Sequence, residues 1–314
     1  MNQAAILLQL LRLPQVGPAK LRLILARLFQ IGVPPERILE LSDQQLLLDV
    51  RLKPEQVEAL RNPPSDAEED LRHCAEEGIR VLLSADAHYP IQLLNLLGRT
   101  APPLIFARGN LDLLKYPALG ISGSRQAREE SLSAVLRLSQ SVAAQGWVVV
   151  SGGARGVDTA AHLGCMEDGP GTIVVMPTGI LKPNLRREIK KHFEDGKTLL
   201  LSEFPPEYGW TVGCAMQRNR LLAALSRVVA LVEPGLRGGT GGTGRIALRI
   251  GLPVFVLRLA TGVSSGEEDL MKAGARPLNP DQLSPQEITR LFSQAHEACE
   301  ANRDRLQTEK LFSA

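Results

Sequence analysis

Residues 147–162 read WVVVSGGARGVDTAAH, and their order carries most of the fold. Trp147 to Val150 are an unbroken apolar run, the pattern of a short strand buried on both faces. Gly152, Gly153 and Gly156 then permit a tight turn and a close backbone approach. Asp158 follows in what reads as a first helical turn, where a carboxylate complements the helix dipole. Strand, glycine turn and helix in one short segment are the opening of a βαβ unit.

The alternation continues on both sides. Strands are expected at 79–84 (IRVLLS), 104–109 (LIFARG), 118–122 (ALGIS), 147–151, 172–176 (TIVVM), 198–204 (TLLLSEF), 228–233 (VVALVE) and 253–257 (PVFVL). Helical windows lie at 126–145, 156–168, 185–195, 216–226 and 243–250. This spacing predicts an α/β domain over 65–283 with a doubly wound, mostly parallel sheet. Residues 1–64 read instead as short amphipathic helices (AAILLQLLRL, PAKLRLILARLF, PERILEL, SDQQLLL, PEQVEALR) opened mostly by Pro or Ser, a small all-helical N-terminal domain. The stretch NPPSDAEED (62–70) marks the boundary. Residues 284–314 read as one C-terminal helix fraying into a polar end, with no room for a further domain. LPQVGPAK (13–20) suggests a helical hairpin in which Gln15 replaces the usual first glycine, which favours a structural role.

Charge is balanced, Lys+Arg 36 against Asp+Glu 34, so net charge names no partner. Its distribution is uneven: between Trp210 and Ala260 stand seven arginines and one acid, Glu233, a local excess that suits an anionic ligand. Cys74, Cys165, Cys214 and Cys299 form no CxxC, so neither a zinc site nor a disulfide framework is indicated. No signal-like start or membrane-length apolar run is present. The expectation is a soluble, cytoplasmic protein with no metal, no cofactor and no membrane contact.

In such sheets ligands lie beyond the carboxyl ends of the strands. GISGSR (120–125) ends a strand before a helix, so Gly123 can admit a ligand to backbone amides and Arg125 can offer a planar fork to phosphate. An ordinary Gly-Ser turn with a solvated arginine reads equally well. SGGARG (151–156) repeats the arrangement with Arg155. Asp158 and His162, four apart, read as an intrahelical pair or cap, since no third metal ligand has suitable spacing. A Ser151-His162-Asp158 hydrolase lacks the GxSxG elbow. QRNRLLAALS (217–226) places Arg218 and Arg220 at an expected helix start, where cations oppose the dipole unless an anion is there. In GLRGGTGGTGRIALRIG (235–251), Gly239, Gly241 and Gly244 fit GxGxxG, but no acid follows at the spacing a ribose needs. The triplet at 196–198 is no P-loop, because Lys191 stands where its first glycine belongs.

Taken in order, PPLIFARGN (102–110), GISGSR, SGGARGVDTAAH, GTIVVMPTGI (171–180), LLSEFP (200–205), QRNRLLAALS, VVALVE and KAGARPL (272–278) resemble the DNA-processing protein A family, also called Smf, over roughly residues 65–280. The resemblance implies an extended Rossmann-like domain after a sterile-alpha-motif-like (SAM-like) helical one. It further implies no enzymatic chemistry, but binding and protection of single-stranded DNA, help in loading RecA recombinase during natural transformation, and a homodimer. Carried over motif by motif, phosphate contacts fall on Ser124, Arg125, Ser151, Gly152, Gly153, Arg155 and Asn219, with Arg218 and Arg220 supporting and Lys182 added by position alone. The chain departs from the family at EPGLRGGTGGTGR (233–245), where an acidic-Ala pair and a Ser-Gly-Ser-Leu-like loop are usual, and it shows no C-terminal winged-helix pattern. Aromatic residues are 4% of the chain, so stacking platforms are expected to be sparse and binding chiefly electrostatic.

Two other readings use the same loops. RGGTGGTGR nears the PGGxGTxxE signature of the lysine-decarboxylase-like phosphoribohydrolases, but Arg237, Gly242 and Arg245 stand where its Pro, Thr and catalytic Glu belong. A nucleotide-binding sensor domain is the third.

Overall fold

The computed structural model describes residues 2–312 except 168, 184, 194, 237 and 259–264; of the side chains of 265 and 305–312 nothing is described. The chain divides into two compact units. The first comprises Met1–Arg108, Thr178–Pro183 and Leu201–Gly209; the second comprises Gly109–Pro177, Asn184–Leu200 and Trp210–Ala314.

The first unit opens with helices α1 (Gln3–Leu11), α2 (Pro18–Gln30), α3 (Asp43–Leu48), α4 (Pro54–Arg61) and α5 (Ala67–Glu76). Their starts follow the sequence signals. Asn2 accepts from the Ala5 amide, Ser42 and Gln45 form a capping box, Asp66 caps α5, and prolines open α2 and α4. PERILEL is a 3-10 segment, Pro35–Glu40, rather than an α-helix. Ile6, Leu8, Leu21, Ile24, Leu28 and Leu46 are fully buried; α1 is buried continuously from Ala5 to Leu11, whereas α2 buries a stripe of Leu21, Ile24 and Leu28. Gln15 adopts φ +58°, the left-handed conformation that the missing glycine would have adopted without strain. Strand β1 (Ile79–Leu83), helix α6 (Ile91–Leu97) and strand β2 (Leu104–Gly109) follow, and β1 pairs antiparallel with β2.

The second unit holds β3 (Ala118–Gly123), α7 (Glu129–Ala143), β4 (Val148–Ser151), α8 (Val157–Met166), β5 (Thr172–Val175), α9 (Arg187–Lys190) and the first part of β6 (Thr198–Ser202). It continues through α10 (Val212–Ala224), β7 (Val228–Val232), α11 (Gly239–Arg249), β8 (Val254–Leu257), α12 (Ser265–Lys272), β9 (Arg276–Leu278) and α13 (Pro285–Phe312). Here the strand order is β6-β5-β4-β3-β7-β8-β9, and β3 pairs parallel with both β4 and β7. The chain therefore winds outward from β3 in one direction and restarts on its other side with β7, which makes the β3/β7 edge the topological switch point. The expected α/β, doubly wound, mostly parallel architecture is what forms.

Leu119, Ile121, Val149, Val157 and Phe255 lie in one buried cluster. Phe292 of α13 packs into it, its ring 5.2 Å from that of Phe255 and 6.0 Å from that of Trp147. The C-terminal helix thus contributes to the core through Ile288, Phe292 and Ala295.

Candidate functional site

The turns after β3, β4 and β7 border one cleft of about 400 Å³ at the switch point. Ser124, Arg125, Ala154, Asp158, Arg218, Asn219, Gly239 and Thr240 line it on the polar side, and Trp210, Val212 and Met216 on the apolar side. Among the described residues, no cluster of three or more His, Cys, Asp or Glu is placed to hold a metal ion, and no helix is long and apolar enough to cross a membrane.

The first two turns interlock. The Ser124 amide donates to Val232 O at 3.3 Å, and its carbonyl accepts from the Val157 amide at 3.3 Å. Its hydroxyl accepts from the Gln126 amide at 3.1 Å. Gly156 makes the contact possible: its φ is +83°, and a Cβ there would stand 2.7 Å from Ser124 O.

Beneath the second turn lies Arg218. Its guanidinium Nη1 donates to Val175 O at 3.0 Å, and a Cβ on Gly152 would stand 1.6 Å from that nitrogen. Residue 152 is a glycine because an arginine occupies the place of its side chain. Burial pulls the Arg218 pKa down, against the attraction of Asp158 and with the repulsion of Arg125. Burial likewise pushes Asp158 up, against Arg218 and the hydrogen bonds from Ala154, Ser151 and Gly152. One buried carboxylate thus faces a buried guanidinium that also feels a second, exposed one.

Asp158 fills part of the turn itself. The Ala154 amide donates to Asp158 Oδ2 at 3.2 Å, so the inner amides of SGGARG serve the protein's own carboxylate. The Ser151 hydroxyl donates to Ile121 O at 2.7 Å. His162, expected to pair with Asp158, instead meets Thr172 Oγ1 through Nδ1 at 2.6 Å. Because the Thr172 hydroxyl donates to Val149 O, Nδ1 carries the imidazole proton. Burial, then the Arg218 charge, pushes the His162 pKa down to about 3, so the ring is neutral. Ser151 reaches Asp158, but His162 bonds Thr172 rather than either of them, so the three form no relay.

The remaining residues can be placed individually. Arg125 and Arg155 are exposed and have no hydrogen bond or ion pair among the described residues. Asn219 Nδ2 donates to Gly239 O at 3.3 Å, tying α10 to the start of α11. Arg218 and Arg220 do not stand at a helix start as expected. Thr211 accepts from the Cys214 amide and starts α10 at Val212, so both arginines lie mid-helix, Arg218 buried and Arg220 half-buried. Gly153 has φ +73° and backs onto Val174. Lys182 is exposed and belongs to the first unit.

The glycine-rich stretch after β7 differs from the expected loop. The helix begins at Gly239, so only its first-turn amides face the cleft. Gly244 packs under Leu231 and Leu270. Arg245, at the position of a hydrolase carboxylate, pairs with Asp269 at 3.0 Å; Arg237 lies outside the described residues. The sequence reading missed Trp210, Val212 and Met216. A tryptophan just upstream of an arginine-bearing helix is the one signal that pointed there.

The profile of the family described as DNA recombination-mediator protein A matches residues 80–290, a span that contains every strand of the sheet from β2 to β9 and all the turns around the cleft. The chain belongs to that family. It is 33% identical to the DNA processing protein DprA of Streptococcus pneumoniae, over 63% of this chain and 70% of that one. With the Bacillus subtilis DprA it shares 29%, over 65% and 69%. The X-ray structure of the Streptococcus pneumoniae protein superposes with a TM-score of 0.72 and 25% identity, covering 92% of this chain and 98% of that one. A Helicobacter pylori DprA structure, whose title concerns that protein's single-stranded DNA binding mode, superposes with a TM-score of 0.58 and 27% identity over 69% and 97%.

Proposed function

We propose that this chain binds single-stranded DNA through its phosphate backbone at the switch-point cleft, without cutting it. The observation that carries this reading is the charge arrangement: Arg125 is exposed and unpaired beside buried Arg218, and Asp158, the carboxylate that lines the cleft among the described residues, already accepts from Ala154. Two cations of this kind, in one cleft with the first residues of α11, suit an external anion. Family membership makes that anion a DNA strand.

Within this reading the direct phosphate contacts are Ser124, Arg125, Arg155 and Asn219, joined by the Gly239 and Thr240 amides. Ser151, Gly152, Gly153 and Arg218 shape and charge the turn from behind, and Arg220 adds to the field. The same reading extends to protection of incoming DNA, help in loading RecA recombinase, and a homodimer. The reading includes no glycosidic catalysis: position 245, which would supply the acid or base, is an arginine bound to Asp269.

The test is a titration of labelled oligo-dT at several salt concentrations, alongside an assay for base release from nucleoside monophosphates. Binding at low salt that weakens steeply with salt is expected, with no base released. Absence of binding at low salt overturns the reading, base release turns it toward a phosphoribohydrolase, and tight binding of a mononucleotide without DNA turns it toward a sensor.

A further inference from the structure

We propose that Trp210 is a stacking platform for a nucleobase, so that the cleft grips a base as well as the phosphates; this rests on the single-strand reading above. Trp210 is 53% exposed in a chain with one other tryptophan, Trp147, which is 4% exposed. Val212 and Met216 beside it are 66% and 42% exposed. Three large apolar side chains left in water at one place carry a hydration cost that a partner removes. They line the same cleft of about 400 Å³ as Arg125, Ser124 and Gly239, so apolar and anion-binding groups share one space.

The platform is held in place. Thr211, the next residue, caps α10 by accepting from the Cys214 amide at 3.0 Å, which fixes the backbone entering the helix. A single strand whose phosphate lies on Arg125 and the α11 amides presents its adjoining base to the apolar side of the cleft. An indole face receives any of the four bases, so this contact adds affinity with little sequence preference. It adds one stacking contact to the chiefly electrostatic binding expected from the low aromatic content.

The experiment uses the full chain with oligo-dT and with an abasic strand of the same length, followed by anisotropy and by tryptophan emission. The proposal expects dT to quench the emission and the abasic strand to leave it nearly unchanged. Trp210→Ala is expected to weaken dT binding about 10-fold while leaving abasic binding as it was, and Trp210→Phe to restore most of the loss. Equal binding of dT by wild type and Trp210→Ala, or equal loss for both strands, overturns the proposal while leaving the phosphate reading intact. A change in oligomeric state on Trp210→Ala without a change in base dependence also overturns it, marking the patch as a protein contact. If neither strand binds wild type at low salt, the single-strand reading itself fails, and this inference with it.

Discussion

Two glycine-rich turns border the cleft, and their glycines do different work. In SGGARG, after β4, Gly152 makes room for the Arg218 guanidinium and Gly156 lets the turn close against Ser124. In GGTGGTG, after β7, most of the glycines sit inside α11, and Gly244 brings that helix down onto Leu231. The first set shapes a charged seat and the second closes a helix onto a sheet. Glycine content alone therefore does not mark a phosphate cradle; what a Cβ would strike at each position does.

The largest contrast is expected at Gly156. Gly156→Ala forces a side chain into a left-handed conformation and against Ser124 O, so it should cost about 2–4 kcal/mol and weaken DNA binding together. Denaturant midpoints and oligo-dT titrations measure the two effects. If stability falls and binding by the folded fraction is unchanged, the interlock of the two turns is not what forms the seat.

The second expected effect concerns the group behind the first turn. His162 has a folded pKa near 3 against 6.5 in the unfolded chain, so below pH 6.5 the unfolded chain takes up a proton that the folded one does not. Stability contributed by this residue is therefore present above pH 6.5 and lost on acidification, by about 1.4 kcal/mol per pH unit. Asp158, raised by burial, acts with the opposite sign, its contribution growing as the pH falls. The difference between wild type and His162→Gln across this range isolates the histidine; parallel curves would remove it as a buried neutral brace.

Smaller effects are expected in the second stretch. Gly244→Ala overpacks Leu231 and Leu270 and should cost about 1–3 kcal/mol with DNA affinity per folded molecule unchanged. At Gly242 a Cβ meets only the mobile methyl of Met216, at 3.3 Å, so Gly242→Ala should stabilise α11 by about 0.5–1 kcal/mol. Thermal melts of the pair give opposite signs if glycines in this stretch are there for packing at one position and are dispensable at the other.

Much of this was legible in the sequence. Buried parallel strands are continuous apolar runs, and β3 to β8 fall where those runs are; β1 and β2, an antiparallel pair, also lie where strands were expected. Strand β9 escaped because Arg276-Pro277-Leu278 is short and carries neither alternation nor an apolar run. Ser124 and Arg125 were visible because turn chemistry is local, whereas Asn219, inside α10, entered only through the family resemblance. The burial of Arg218 was not, since it depends on a missing side chain at Gly152, far away in sequence. The internal role of Asp158 was half visible: the cap was expected, but not that it would take amides otherwise free for a ligand. Trp210 lies in an aperiodic segment, and only the folded chain brings it into one cleft with Arg125.

The central claim is that Arg125 and Arg155, on the turns after β3 and β4, neutralise phosphates of a single strand. The salt dependence of oligo-dT binding tests it most directly, because each phosphate contact contributes about 0.7 to the slope of log affinity against log salt concentration. Arg125→Ala with Arg155→Ala should bind more weakly, with a slope shallower by about 1.4. A doubly substituted chain that keeps the wild-type slope and affinity would contradict the account.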